Sequence, residues 1–317
     1  MICCQMRAST PLRPPDPDRI ALMSNFFSSG RDDRDDRRFA ADSVPELDDA
    51  VSSEAEWPGE GGVFEAADQG PAGGDGTYWQ LSRTPLTSLV FTLPLVLAYE
   101  GGVLLLGRGS PRNGADVWLR QLLDALGFGQ YFLLPLLTVV GLLAWQFLAQ
   151  DRWRLSLAVM PGMVAECVLW AVVLVGVGRL QQSLWPFPRG ALQWESLLQW
   201  GFDAGDAWPA VLARLIGYCG AGLYEEVLFR LLLLPIAVWA FQRLGCTALA
   251  AGCWALALSS LLFSAAHYVG PLADTFALYS FTFRAVAGLF FAMLFLLRGF
   301  GIAAGTHFFY DLLVGLA

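Results

Sequence analysis

The sequence predicts an all-α, polytopic integral membrane helix bundle of about seven transmembrane helices, with a polar cavity inside the bilayer and a disordered amino-terminal tail. Three observations predict it. Of 317 residues, 56% are hydrophobic and only 15% charged, well under the roughly 25% of an ordinary soluble domain. The charge is also uneven: residues 1–80 hold 7 Arg and 16 Asp/Glu, whereas residues 81–317 hold 13 Arg and 12 Asp/Glu. Finally, from Leu86 onward apolar runs recur at about the ~20 residues that a helix needs to cross a bilayer. The acidic pI of about 4.8 thus belongs to the tail, and the body is close to neutral. The chain has no lysine, and no basic face of the kind a nucleic-acid binder needs is present. The partners expected are the lipid bilayer and a peptide or membrane-protein substrate, with no nucleic acid.

Two domains are expected, an acidic tail over 1–80 and a transmembrane domain over 81–317. Residues 24–77 run through a mixed-charge block, Arg31 to Arg38, an acidic stretch from Glu46 to Glu65 and a Gly/Ala/Asp run to Gly76. Such a composition buries too little surface to offset chain entropy, and the segment reads as disordered. The first 23 residues, with their prolines from Pro11 to Pro17, lack the apolar core and small-residue cleavage site of a secretory signal, and Met23 is an alternative start. The cysteines form no Cys-x-x-Cys pair, and those in apolar segments read as buried free thiols.

In chain order, spans are expected over 86–106, 128–148, 155–178, 246–266, 275–297 and 300–316. The longer stretch 209–243 contains Pro235 and reads as a span with a kinked extension. Segments 114–126 and 191–202 read as amphipathic helices on the membrane surface, the first from Asp116, Arg120 and Asp124 at one-turn spacing between Trp118, Leu122 and Leu123. Trp145, Trp153, Trp185, Trp194, Trp200 and Trp208 fall near span ends, where indoles favour the headgroup layer. Arg83, Arg152, Arg154, Arg243 and Arg298 beside the short loops favour an amino terminus inside. No inverted repeat of the transporter kind is visible.

An ionisable residue within the bilayer costs roughly 2.5 kcal/mol or more and marks either a function or a specific pair. Glu100, Glu166, Arg214, Glu225, Glu226, His267, Arg284, His307 and Asp311 fall in the apolar segments, and the chain's 2 histidines are both among them. Glu226 and Arg230 have the helical ion-pair spacing, with the acid first. Glu225 lies about 100° further round an α-helix, which leaves it free to act on something else. Phe263 and His267 share a helix face, as do His307 and Asp311. Measured from a turn near Arg243–Cys246, Glu226 lies ~28 Å and His267 ~34 Å along their arms, whereas His307 lies only ~12 Å beyond a turn near Gly299. His307 is therefore too shallow for simple vertical spans, and Gly299–Gly305 is expected to enter the bilayer as irregular backbone beside a polar cavity.

A carboxylate and an imidazole that converge on water can take its proton, and a second imidazole can stabilise the oxyanion formed when water adds to an amide. No Gly-x-Ser-x-Gly, His-Glu-x-x-His or phosphate-binding glycine loop occurs. Ser260 and Ser264 read equally well as small packing residues of a membrane helix.

Three motifs in order, Glu225-Glu226-x-x-x-Arg230, Phe263-x-x-x-His267 and His307-x-x-x-Asp311, resemble the CPBP family, the CAAX prenyl endopeptidases and bacteriocin-processing (Abi-type) intramembrane proteases. The resemblance covers about 209–317. It implies a helical membrane fold in which a peptide bond is hydrolysed within the bilayer. It also implies Glu225 and His267 as the water-activating pair, His307 and Asp311 on the oxyanion side, and Glu226, Arg230 and Phe263 as supporting residues. The family usually has Asn where Asp311 stands. An ionised carboxylate cannot donate to an oxyanion, so Asp311 must be protonated or must orient His307. No cofactor is expected; the alternative is zinc, since two His and a Glu are suitable ligands. A non-catalytic Abi-type immunity or scaffold protein is the remaining alternative. For Glu226 and Arg230 a buried structural pair is an equal reading, and Glu100, Glu166 and Arg284 read as inter-helix polar contacts. The expected location is a bacterial cytoplasmic membrane.

Overall fold

The computed structural model describes residues 77–107, 112–129, 131–149, 153, 155–185, 208–270 and 273–316. The tail up to residue 76 and the surface helix expected over 191–202 lie outside the described residues. Among the described residues every regular element is helical, and four helices are long and apolar enough to cross a membrane. These are α1 (Pro85–Leu106), α4 (Met160–Leu184, continuing a 3₁₀ turn from Leu157), α7 (Ala248–Ala266) and α8 (Leu278–Arg298). Between them come α2 (Gly114–Ala125), α3 (Leu133–Leu148), α5 (Trp208–Gly220) and α6 (Leu234–Arg243), and the described chain ends with α9 (Phe300–Leu316).

Local chemistry sets the boundaries. Thr84 caps α1 by accepting from the Thr87 amide, with Pro85 as the first helical residue. Gly107, Gly245 and Gly299 take positive φ where α1, α6 and α8 stop, a conformation that glycine adopts without steric penalty. The expected span 128–148 shortens to the 16 residues of α3 because the chain turns at Gly127, also at positive φ.

The stretch expected as one kinked span is continuous but not uniformly α-helical. Ala221–Glu225 and Val227–Leu233 are π-helical, lying between α5 and α6. Pro235, in the first turn of α6, has no N–H for an upstream carbonyl and its ring crowds residue 231. The widened ladder accommodates both. Carbonyls loosened in this way need other donors, and Ser259 of α7 donates to the Phe229 carbonyl at 3.1 Å.

The interior surfaces are small or polar and the outer ones apolar. Ser88, Thr92, Thr138 and Ser259 are buried, while Leu97, Leu105, Phe147 and Leu249 are exposed. That is the reverse of a soluble globule and the expected pattern for helices packed in lipid. Helix α9 is central: it packs along α4 and also touches α1, α8 and the first π-helical segment. At one end, Arg298 forms a two-pronged pair with Glu166 (2.6 and 2.8 Å), Tyr78 donates to the same carboxylate at 2.6 Å, and the Trp79 ring lies 4.0 Å from the guanidinium. Glu166 thus makes inter-helix contacts.

Candidate active site

The two π-helical segments carry Glu225 and Glu226 into the centre of the bundle. Glu226 and Arg230 are both fully buried, with Nε 3.0 Å from Oε2. The distance is that of an ion pair, but the atoms are not aligned as a hydrogen bond, as a π-helical ladder displaces residues four apart from the alignment an α-helix gives. Arg230 also donates to the Gly288 carbonyl at 3.0 Å and lies 4.6 Å over the Phe263 ring.

Glu225 points elsewhere. Its Oε2 lies 4.0 Å from His267 Nε2 and 3.8 Å from His307 Nε2. Both separations exceed a hydrogen bond and suit a bridging water. The other oxygen, Oε1, accepts from Asn113 Nδ2 at 2.9 Å. The sequence-predicted residues therefore converge: one carboxylate oxygen faces two imidazoles from different helices.

Each imidazole is oriented by its second nitrogen. His267 Nδ1 lies 2.9 Å from the Phe263 carbonyl, which can only accept, so Nδ1 carries the proton and a neutral ring leaves Nε2 as an acceptor. His307 Nδ1 lies 2.8 Å from Glu226 Oε1 and donates to it, and Nε2 lies 3.8 Å from Asp311. Glu226 thus binds both Arg230 and His307, joining the buried ion pair to the ring.

His307 reaches Glu225 without irregular backbone. The expected entry of Gly299–Gly305 as non-helical chain is incorrect, because helix begins at Phe300 immediately after the turn at Gly299. His307 stacks on Phe291 (4.4 Å, 13°), and the two lie equally far from Gly299 along α9 and α8. Phe263 touches His267 (5.1 Å), Phe291 (6.3 Å) and His307 (5.9 Å). This group of rings, together with the long Glu225 side chain, spans the depth that straight-rod arithmetic leaves open.

The approach of backbones is equally specific. A Cβ on Gly222 would meet the Ala304 carbonyl oxygen at 2.8 Å and the Phe308 amide nitrogen at 2.9 Å. Neither is a flexible side-chain end, so Gly222→Ala must push the Glu225 segment away from the His307 helix. The expected cost is about 1–3 kcal/mol of stability, with a larger proportional loss of turnover. Thermal unfolding in detergent beside a cleavage assay checks both, and unchanged values would show that the spacing is not needed.

Ser259, Ser260 and Ser264 donate to the carbonyls of Phe229, Leu256 and Phe281, so they act in packing. Glu100 accepts from Arg120 and Tyr224, and Arg284 pairs with exposed Asp274; both are contacts between separate segments. Among the described residues no three His, Cys, Asp or Glu are grouped as metal ligands. One residue at the site had no sequence-level assignment. Asn113 precedes an amphipathic helix, the position of a helix cap, and only its fold reveals what its amide touches.

A pocket of about 320 Å³ lies beside α9, lined by Phe91, Pro94, Met160, Val164, Gly305 and Phe308 among others. Its walls are apolar, unlike the polar cavity expected from the sequence.

No curated protein and no solved structure matches the chain. Residues 207–313 match the family model described as type II CAAX prenyl endopeptidase Rce1-like. The match covers the three motifs and all of the converging side chains except Asn113. The chain therefore carries, over residues 207–313, a domain of the type II CAAX prenyl endopeptidase Rce1-like family, in agreement with the resemblance read from its motifs.

Proposed function

We propose that the protein is a metal-independent intramembrane endopeptidase that hydrolyses a peptide bond of a membrane-associated substrate, with Glu225 as general base. The observation that carries this reading is the placement of both His267 Nε2 and His307 Nε2 within 4.0 Å of the same Glu225 oxygen. A water held between Glu225 Oε2 and His267 Nε2 donates one hydrogen to each acceptor. As its oxygen bonds to the scissile carbonyl carbon, Glu225 takes the proton. The carbonyl oxygen becomes an oxyanion and accepts from His307 Nε2–H. That requires a doubly protonated ring, and Glu226 and Asp311 on either side provide compensating charge. When the C–N bond breaks, the proton on Glu225 passes to the departing amine.

The helical path from Trp208 to Arg243 exceeds one bilayer thickness, and with α3 and α9 it would bring the crossings to seven. The reaction would then take place in a polar cavity below the lipid surface. The apolar pocket beside α9 favours a CAAX-like substrate bearing a lipid chain over an unmodified leader peptide. Its volume is at the lower end of the range for small-molecule sites.

The ligand distances bear on the zinc alternative. In a tetrahedral site with Zn–N near 2.0–2.1 Å, ligand atoms lie closer together than the 3.8–4.0 Å between the Glu225 oxygen and each imidazole, so no step is assigned to a metal. In proteoliposomes, cleavage of a quenched farnesylated CAAX-type peptide should exceed that of an unprenylated leader peptide and should survive a chelator. Loss of cleavage restored by zinc would move the assignment to a metal-dependent peptidase. If neither peptide is cut, and no membrane peptide accumulates in cells carrying Glu225→Gln, the protein is a non-catalytic member.

A further inference from the structure

We propose that Asn113, outside the family-matched segment, is the positioning residue of the base: its amide fixes one Glu225 oxygen and thereby assigns the other to water. This inference rests on Glu225 being the base.

The amide has only one workable orientation. Asn113 caps α2, and its Oδ1 accepts from the Ala115 N–H at 2.8 Å. Nδ2 therefore faces Glu225 Oε1 at 2.9 Å; a flipped amide would lose the cap bond and set two oxygens against each other. Glu225 Oε2 is buried with no hydrogen-bond partner, and this is the oxygen that faces both imidazoles. The two oxygens thus have different environments.

Asn113 is itself held in place. Its backbone N–H donates to the Tyr99 hydroxyl at 3.2 Å, and that hydroxyl donates to Asp116 at 3.0 Å. Fully buried Asp116 also pairs with Arg112 (2.8 Å) and Arg120 (2.6 Å). Arg120 continues to Glu100 at 2.9 Å, and Glu100 accepts from the Tyr224 hydroxyl at 2.5 Å. Tyr224 directly precedes Glu225, so the network returns to the base through its own backbone neighbour. A carboxylate gripped through one oxygen and through the adjacent residue has little freedom to turn away from the imidazoles. Misplacements of about 1 Å cost about 10²-fold in rate, and this network restrains such displacements.

The test uses two variants that keep the helix cap, since Ser and Asp cap as well as Asn. Asn113→Ser retains a capping oxygen but cannot reach Glu225, and Asn113→Asp replaces the donor with an acceptor. In the infrared difference between each protein and its Glu225→Gln counterpart, the Glu225 carboxyl band should move in both variants while unfolding temperatures stay at the wild-type value. With the farnesylated peptide, kcat should fall about 10- to 100-fold, with KM little changed. An unmoved band, a wild-type kcat, or a kcat loss that merely follows a lower unfolding temperature would each overturn the proposal. If Glu225→Gln itself proves active, the base assignment fails, whereas the band shift reads the Asn113 contact independently of turnover.

Discussion

Glu225→Gln is expected to lower peptide turnover about a thousandfold, within the range for loss of a general base, while the protein inserts and unfolds as the wild type does. The substitution keeps the side chain's length and volume, and its amide oxygen can still accept from Asn113 Nδ2, which lies 2.9 Å from Glu225 Oε1. What disappears is a basic oxygen between two imidazoles. Glu225→Asp separates position from charge: it keeps a carboxylate but withdraws it by one methylene, and a loss of about 10²-fold would show that placement matters alongside basicity. Cleavage assays in proteoliposomes, with unfolding followed on the same preparations, give both quantities. Turnover by Glu225→Gln within about tenfold of wild type would leave the general-base range altogether and would assign the chemistry to another group.

The site was legible to the extent that its residues are anomalous in lipid. Glu225, His267 and His307 stand out because ionisable groups are scarce in apolar spans, and their motif spacing was enough to bring them together before any fold was known. Asn113 gave no such signal. It is neutral, lies in a connecting segment and meets Glu225 across 112 positions of chain, so neither periodicity nor cost in lipid distinguishes it. The π-helical turns were equally hidden, since they depend on how Pro235 and Ser259 share the loosened carbonyls around Phe229. The depth of His307 was misjudged for a geometric reason: helices were treated as rods with a common origin, whereas stacking on Phe291 and contact with Phe263 let side chains bridge the difference. Glu100 and Glu166 are equally anomalous in composition, yet they make structural contacts with Tyr224, Arg120 and Arg298. Rarity alone therefore identifies polar residues that matter without saying which of them react.

Arg230→Ala is expected to destabilise the protein by about 3–5 kcal/mol, the range for breaking a buried ion pair from one side. The guanidinium is wholly buried, donates to the Gly288 carbonyl at 3.0 Å and packs over Phe263. Truncation leaves Glu226 buried with only His307 Nδ1, at 2.8 Å, as a close partner, and it also removes the packing stem under the ring group. Arg230→Lys should recover little, because an ammonium cannot present the planar fork that serves a carboxylate, a carbonyl and an aromatic face together. The informative comparison is the double variant Glu226→Gln with Arg230→Met, in which no charge is stranded. Its stability should exceed that of Arg230→Ala, the non-additivity expected of residues in contact, whereas its turnover should stay low because His307 has lost the carboxylate that orients it. Unfolding of the single and double variants in detergent reads the stability coupling, and cleavage reads the orientation. A double variant no more stable than Arg230→Ala would mean that the cost lies in lost packing over Phe263 rather than in the stranded carboxylate. Full turnover in that variant would remove Glu226 from any part in holding His307.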